Sequence, residues 1–203
     1  PQHPTVDGVE AVNLAIGIGH YDDFAVDGRV LWNDSAAAAR RADALAGIAD
    51  VRAAPVIDRE MVLVVSASDR MIALDRRIGD RLWEREIGGV ETPWAGGDYF
   101  FMITSDNELI CIDRIDGGVV WVRKLPRFED EADREGRILW RGPLLASDRL
   151  IVAGSHGEMW AVSPYDGRVL GVQNLDAQPA AAPIVANGAL HVLTLDGRLN
   201  GFR

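Results

Sequence analysis

Short apolar runs separated by small, polar turns fill most of this chain. Met61 to Val65, Met71 to Leu74, Tyr99 to Ile103, Leu109 to Ile112, Leu150 to Ala153 and Met159 to Val162 are rich in β-branched or aromatic side chains. Between successive members of each pair lie Ser66-Ala67-Ser68-Asp69, Thr104-Ser105-Asp106-Asn107 and Gly154-Ser155-His156-Gly157. Runs this short, bounded by turn residues, predict strands joined by hairpins. A further run follows each pair across a second turn: Leu82 and Trp83 after Arg76 to Asp80, Val119 to Val122 after Asp116-Gly117-Gly118, and Arg168 to Val172 after Tyr165-Asp166-Gly167. A brief strand after each proline, such as Val56-Ile57 or Ile184-Val185, brings the count to four strands per unit.

The units repeat in register. Pro55, Pro93 and Pro143 are each followed 24 residues later by a glycine, Gly79, Gly117 and Gly167. Counting 18 residues from Pro55, Pro93, Pro143 and Pro183 reaches Ala73, Cys111, Ala161 and Gly201, a shared small position. Trp32, Trp83 and Trp121 each stand four residues after a glycine, namely Gly28, Gly79 and Gly117, so the pattern extends back into a partial first unit. Four-stranded units of about 40 residues predict an all-β fold, a β-propeller of antiparallel blades. The expected blades cover residues 9–33 (partial), 53–88, 91–125, 141–176 and 181–203, the last lacking its fourth strand. In closed propellers such a strand is often supplied by the other terminus, covering an exposed edge. The tryptophans at blade spacing predict packing between blades, with Gly79, Gly117 and Gly167 as further blade-docking positions.

Two units are longer than the plan. Pro93 to Pro143 spans 50 residues against 38 for Pro55 to Pro93, and Gly28 to Gly79 spans 51. One insertion, Asp34 to Asp50, is Ala-rich with Asp34 or Ser35 placed to cap a helix over Ala36 to Ala46, which Gly47 ends. The other, Pro126 to Arg141, crowds Glu129, Asp130, Glu131, Asp133 and Glu135 among Arg127, Arg134 and Arg137, and predicts a solvated loop. Both leave a blade after its last strand, so both are expected on the face bearing the second-to-third strand hairpins. Loops carried on a rigid scaffold are where binding tends to reside.

Composition narrows the partners. The net charge of −10 comes from 31 acidic and 21 basic residues, with Lys124 the single lysine, which argues against a nucleic-acid surface. No apolar run approaches the roughly 20 residues of a transmembrane helix. Cys111 is the single cysteine and occupies the small position of its unit, so it reads as a core residue.

Candidate catalytic chemistry is sparse. His3, His20, His156 and His191 lack zinc-ligand spacing. Gly17-Ile18-Gly19-His20-Tyr21-Asp22 starts like a dinucleotide loop but carries Asp22 at the third glycine and has no strand-loop-helix setting. Gly154-Ser155-His156-Gly157 lacks the spacing of a nucleophile elbow and reads as a turn. No catalytic, cofactor or metal residue is assigned.

Ala73, Asp75, Gly79 and Trp83 resemble the A-x-D-x-x-x-G-x-x-x-W repeat of pyrroloquinoline-quinone-type propellers. Cys111, Asp113, Gly117 and Trp121 nearly repeat it, while Ser163 and Gly171 depart from it. That group includes quinoprotein dehydrogenases and non-enzymatic scaffolds. The dehydrogenases commonly show a vicinal cysteine pair, which one cysteine cannot form. Leu45 to Pro55 and Leu190 to Leu199 resemble the D-V-D-x-x-P loop and the closing L-Y-V-x-T-x-D-G-R-L of the BamB family, propeller lipoproteins of the outer-membrane β-barrel assembly machinery. The resemblance implies the C-terminal part of an eight-bladed propeller, periplasmic and held to the outer membrane by a lipid anchor outside this chain, catalysing nothing and binding no cofactor. It also implies contact with the periplasmic (POTRA) repeats of BamA through the D-V-D loop, which falls on Asp50 and Arg52, the latter a reversal of charge. The expected partner surface is centred there, flanked by Arg40, Arg41, Glu129 and Asp130, with Leu45, Ile48 and Trp140 as apolar contributors. A quinone-binding oxidoreductase domain and an extracytoplasmic sensor or adhesion propeller are the alternative readings.

Overall fold

The computed structural model describes Trp32, Asp34 and residues 52–203, and all seventeen elements among them are strands. The predicted helix and the partial first unit lie outside the described residues, apart from Trp32 and Asp34. Three four-stranded antiparallel sheets follow one another. The first blade is β1 (Val56–Asp58), β2 (Met61–Ser66), β3 (Arg70–Asp75) and β4 (Arg81–Arg85). The second is β5 (Trp94–Gly96), β6 (Tyr99–Ile103), β7 (Glu108–Asp113) and β8 (Val119–Lys124). A two-stranded hairpin, β9 (Phe128–Asp130) and β10 (Glu135–Arg137), precedes the third blade, β11 (Trp140–Ala146), β12 (Arg149–Gly154), β13 (Glu158–Val162) and β14 (Val169–Asn174). The last sheet has three strands, β15 (Ile184–Ala186), β16 (Ala189–Leu193) and β17 (Leu199–Phe202). Every pairing joins chain neighbours, the up-and-down order of a propeller blade.

The core lies between blades rather than within one. Alternate residues of a strand face opposite sides of its sheet, and here both sides are covered. Leu63 and Val65 of β2 pack with Phe100, Met102, Ile110 and Ile112 of the second blade, while their neighbours Val62 and Val64 join Ile72, Leu74 and Trp32 on the other side. In the second blade Phe101, Ile103, Leu109 and Cys111 take the opposite side, against Leu150, Val152 and Val162. Sheets buried on both faces explain why β2 and β6 read as unbroken apolar runs.

Three seams are closed by the same joint. Trp83 of β4 is 8% exposed and donates its indole Nε1 to the Arg114 carbonyl at 2.8 Å in the next blade's β7–β8 turn. Trp32 does the same to Arg76 at 3.0 Å and Trp121 to Pro164 at 2.9 Å. Beneath each ring is a glycine with positive φ: Gly79, Gly117 and Gly167. A Cβ there would stand 2.6, 2.6 and 2.7 Å from the Trp32, Trp83 and Trp121 rings, so no other residue fits under the indole. The partner of each tryptophan is thus the glycine of the following blade. Across the strand, Trp83 pairs with Ala73 and Trp121 with Cys111, small residues that leave room for the ring. A register shift recurs beside this position in β3–β4, β7–β8 and β13–β14.

A second staple lies two residues after the tryptophan. Arg85 donates to the Asp116 carbonyl, and Arg123 Nε to the Gly167 carbonyl at 2.5 Å. Asp34, two residues after Trp32, receives Arg81 Nε at 2.7 Å, which holds the Arg81 guanidinium above its ordinary pKa. Deeper in the first seam, Arg114 is buried over the Phe100 ring at 4.7 Å, paired with Asp58 and bonded to the Gly97 carbonyl at 3.0 Å.

Candidate partner-binding face

The hairpins between the second and third strands of each blade and the connections between blades occupy one face, held together by backbone hydrogen bonds. Ser105, Ser155 and Leu195, at equivalent hairpin positions, donate their N–H groups to the carbonyls of Gly88, Leu139 and Gln178 in the preceding connections, at 2.9 Å each. Gly89 N–H reaches back to Ser66 O at 3.1 Å, and Asn107 Nδ2 clamps Pro126 O at 3.3 Å and Ile138 O at 3.1 Å. Each connection is therefore threaded between two hairpins. The 126–141 insertion leaves the scaffold between Leu125, bonded to Asn107 O, and Leu139, bonded to Ser155, so it stands on this face.

The insertion, expected as a solvated loop, is exposed and folded as a hairpin. Glu135 pairs with Asp130 and Arg137 with Phe128. The turn between them is built by its acids: Asp130 Oδ1 accepts from Ala132 and Asp133 N–H at 2.9 and 3.1 Å, and Glu131 Oε1 from Arg127 N–H at 2.7 Å. Arg134 and Gly136 take the positive φ angles that close it. Local carboxylate-to-backbone bonds outweigh charge crowding here. Glu129 and Asp130 are both exposed on the projecting hairpin, but the Asp130 carboxylate holds the turn, leaving Glu129 the freer contributor to a surface.

Trp140 corrects the sequence reading. It was expected among the apolar surface contributors, yet it is 4% exposed, with Nε1 donating to Pro126 O at 2.8 Å and the ring meeting Trp160 and His156 edge-on, each at 5.2 Å between centroids. Burial alternates along the segment that enters β11: Ile138 is 1% exposed, Leu139 53% and Trp140 4%. Three apolar residues in a row hide that alternation in the sequence, and Leu139 is the exposed residue missed. Arg52 is exposed at the edge of the described residues. Leu45, Ile48, Asp50, Arg40 and Arg41 lie outside them.

Two clefts open beside the β6–β7 hairpin. One, of about 610 Å³, is lined by Asp69, Arg70, Glu86, Asp106 and Glu108 among others, and one of about 650 Å³ by Glu108, Lys124, Arg127, Glu131, Leu125 and Trp160. Their walls carry both signs of charge. Below the second, His156 Nε2 stands 3.1 Å from Glu158 Oε2, and the same oxygen accepts Trp160 Nε1 at 2.8 Å. The indole bond holds the Glu158 carboxyl below its usual range against the effect of burial, with His156 adding to it. Among the described residues no three His, Cys, Asp or Glu side chains are grouped to hold a metal ion. The Cys111 thiol is buried, which pushes it up to about 12 and leaves it unreactive.

Residues 24–123 match the family model described as "Outer membrane protein assembly factor BamB". Curated relatives of that name align over most of the chain: the Escherichia coli K12 protein at 26% identity over 84% of this chain, and the Xanthomonas campestris protein at 25% over 98%. Over residues 24–123 the chain is similar to BamB. It spans 41% and 48% of the length of those two relatives. Among solved structures, BamB from Moraxella catarrhalis superposes with a TM-score of 0.60 at 19% identity, covering 74% of this chain and 49% of that protein. A quinohemoprotein alcohol dehydrogenase from Comamonas testosteroni reaches 0.50 at 18% identity over 61% of this chain and 21% of its own, a likeness of fold alone.

Proposed function

We propose that this BamB-like chain belongs to a non-enzymatic scaffold in the periplasm, associated with the outer membrane, that supports assembly and insertion of β-barrel proteins as a component of the BAM complex. The family match over residues 24–123 carries the reading. The partner is BamA, bound through its periplasmic repeats on the hairpin face, and a lipid anchor outside this chain ties the assembly to the membrane. Glu129, Leu139 and Arg52 are the exposed described residues we assign to the contact, together with Leu45, Ile48, Asp50, Arg40 and Arg41. A charged rim tunes association rate and salt dependence, and an exposed apolar group contributes affinity once water is excluded from around it.

Surface plasmon resonance against the BamA periplasmic region tests this. The double variant Glu129→Lys/Leu139→Ala should bind more weakly at unchanged melting temperature, while Ile115→Asp, on the opposite face, should bind like wild type. Loss of binding in Ile115→Asp with the double variant unaffected would place the contact on the wrong face. No binding by the unaltered chain would remove the partner itself.

A further inference from the structure

The three outer strands β4, β8 and β14 are each the last strand of their sheets among the described residues, and they differ in how their edges are protected. An edge strand presents unpaired N–H and C=O groups, which proteins shield with charged side chains or by tying the strand down. β4 carries Arg81, Glu84 and Arg85, and its Trp83 and Arg85 both bond into the next blade. β8 carries Arg123 and Lys124, and its Trp121 and Arg123 do likewise. β14, Val169-Leu170-Gly171-Val172-Gln173-Asn174, has no charge, and all six of its residues are exposed. Gly171 stands where the sister blades have tryptophan, and Gln173 where they have arginine. The Gln173 amide bonds to its own neighbour, Asn174 O, at 2.9 Å.

We infer that β14 is an acceptor edge, to which an extended strand of an unfolded β-barrel protein adds by backbone pairing. The inference rests on the reading that this chain serves β-barrel assembly. Backbone geometry requires the occupant to be a strand, and the side chains select its pattern. Val169 and Val172 lie across from Val162 and Trp160 on one face of the sheet, whereas Gly171 and Gln173 lie across from Ala161 and Met159 on the other. A strand laid alongside meets Val169 and Val172 on one face, with Asn174 at its end, and the small Gly171 and polar Gln173 on the other. Barrel strands have this two-sided alternation, apolar toward lipid and polar or small toward the lumen. A strand with charges on both faces would find no counter-ion on β14.

The probe is a synthetic uncharged peptide of about ten residues, the length of a barrel strand, alternating Val or Tyr with Thr or Ser and bearing a fluorophore. The unaltered chain should bind it, with slowed amide hydrogen exchange confined to Leu170–Gln173. Leu170→Lys/Val172→Lys, which gives β14 the kind of charge β8 carries, should weaken binding roughly tenfold or more, while Val120→Lys on β8 leaves it unchanged. Both altered side chains of the double variant are exposed, and its melting curve and its binding to the BamA periplasmic region should match wild type. No peptide binding, equal binding by the double variant, or protection mapping to β8 would each overturn the inference. So would a concentration-dependent dimer of the peptide-free chain that the double variant abolishes, because the edge would then serve a second copy of this chain. Retained peptide binding alongside absent BamA binding would leave the edge in place and remove the partner instead.

Discussion

Trp83 and Gly117 form a single joint: the indole of one blade lies where any side chain at residue 117 would have to be, 2.6 Å from the ring's Cε3 to a Cβ placed there. The glycine is doubly required, since its φ is +72°. Gly117→Ala should cost on the order of 3 kcal/mol, from ring displacement and backbone strain together. Gly97→Ala is the control. Its φ is +60° and nothing lies within 4 Å of its Cβ, so only the backbone term of about 1 kcal/mol remains. Chemical denaturation of both variants measures the difference.

Trp140 should behave as a core residue. Trp140→Ala removes a buried indole from the seam with Trp160 and Leu125, at a cost of about 3–5 kcal/mol. Leu139→Ala should stay within about 0.5 kcal/mol of wild type. Equal melting temperatures for the two variants would return Trp140 to the surface.

Acid should weaken the Glu158 contact in a defined direction. Its indole and imidazole partners hold the folded-state pKa below the ordinary glutamate value, so the stabilisation is complete above that ordinary value and is lost as the pH falls through the lower folded one. Glu158→Gln should therefore be less stable than wild type at neutral pH, and the gap should narrow as the pH drops below 4.5. A pH-independent gap in thermal melts would assign the difference to packing.

Cys111 offers a probe of blade opening. Its thiol is 1% exposed and pushed up to about 12, so the folded protein should resist a thiol reagent at mildly alkaline pH. Modification should track denaturant-induced unfolding measured by Trp fluorescence. Rapid labelling in the absence of denaturant would show that the second seam opens locally.

The repeat and its turns are local properties, and they were legible in the sequence. Apolar runs such as Met61 to Val65 are short because a strand crosses the blade in five or six residues, and unbroken because both faces are covered. Asp-Gly turns recur because the backbone at Gly117 and Gly167 must take positive φ. The small position at Ala73 and Cys111 could also be read, although its purpose, admitting the ring of Trp83 or Trp121 across the strand, could not.

Tertiary structure decided which groups meet. The offset of four residues ties Trp83 to Gly79 in sequence, yet the ring docks on Gly117, because blades stack and a β4 side chain faces the following sheet. The same non-local stacking draws Trp140 into the seam while leaving Leu139 outside. At the face, Asp130 and Glu131 read as free charge in the sequence, but their carboxylates close the β9–β10 turn. Backbone donors two or three residues away are nearer than any partner, so local hydrogen bonds take what composition alone assigns to a surface.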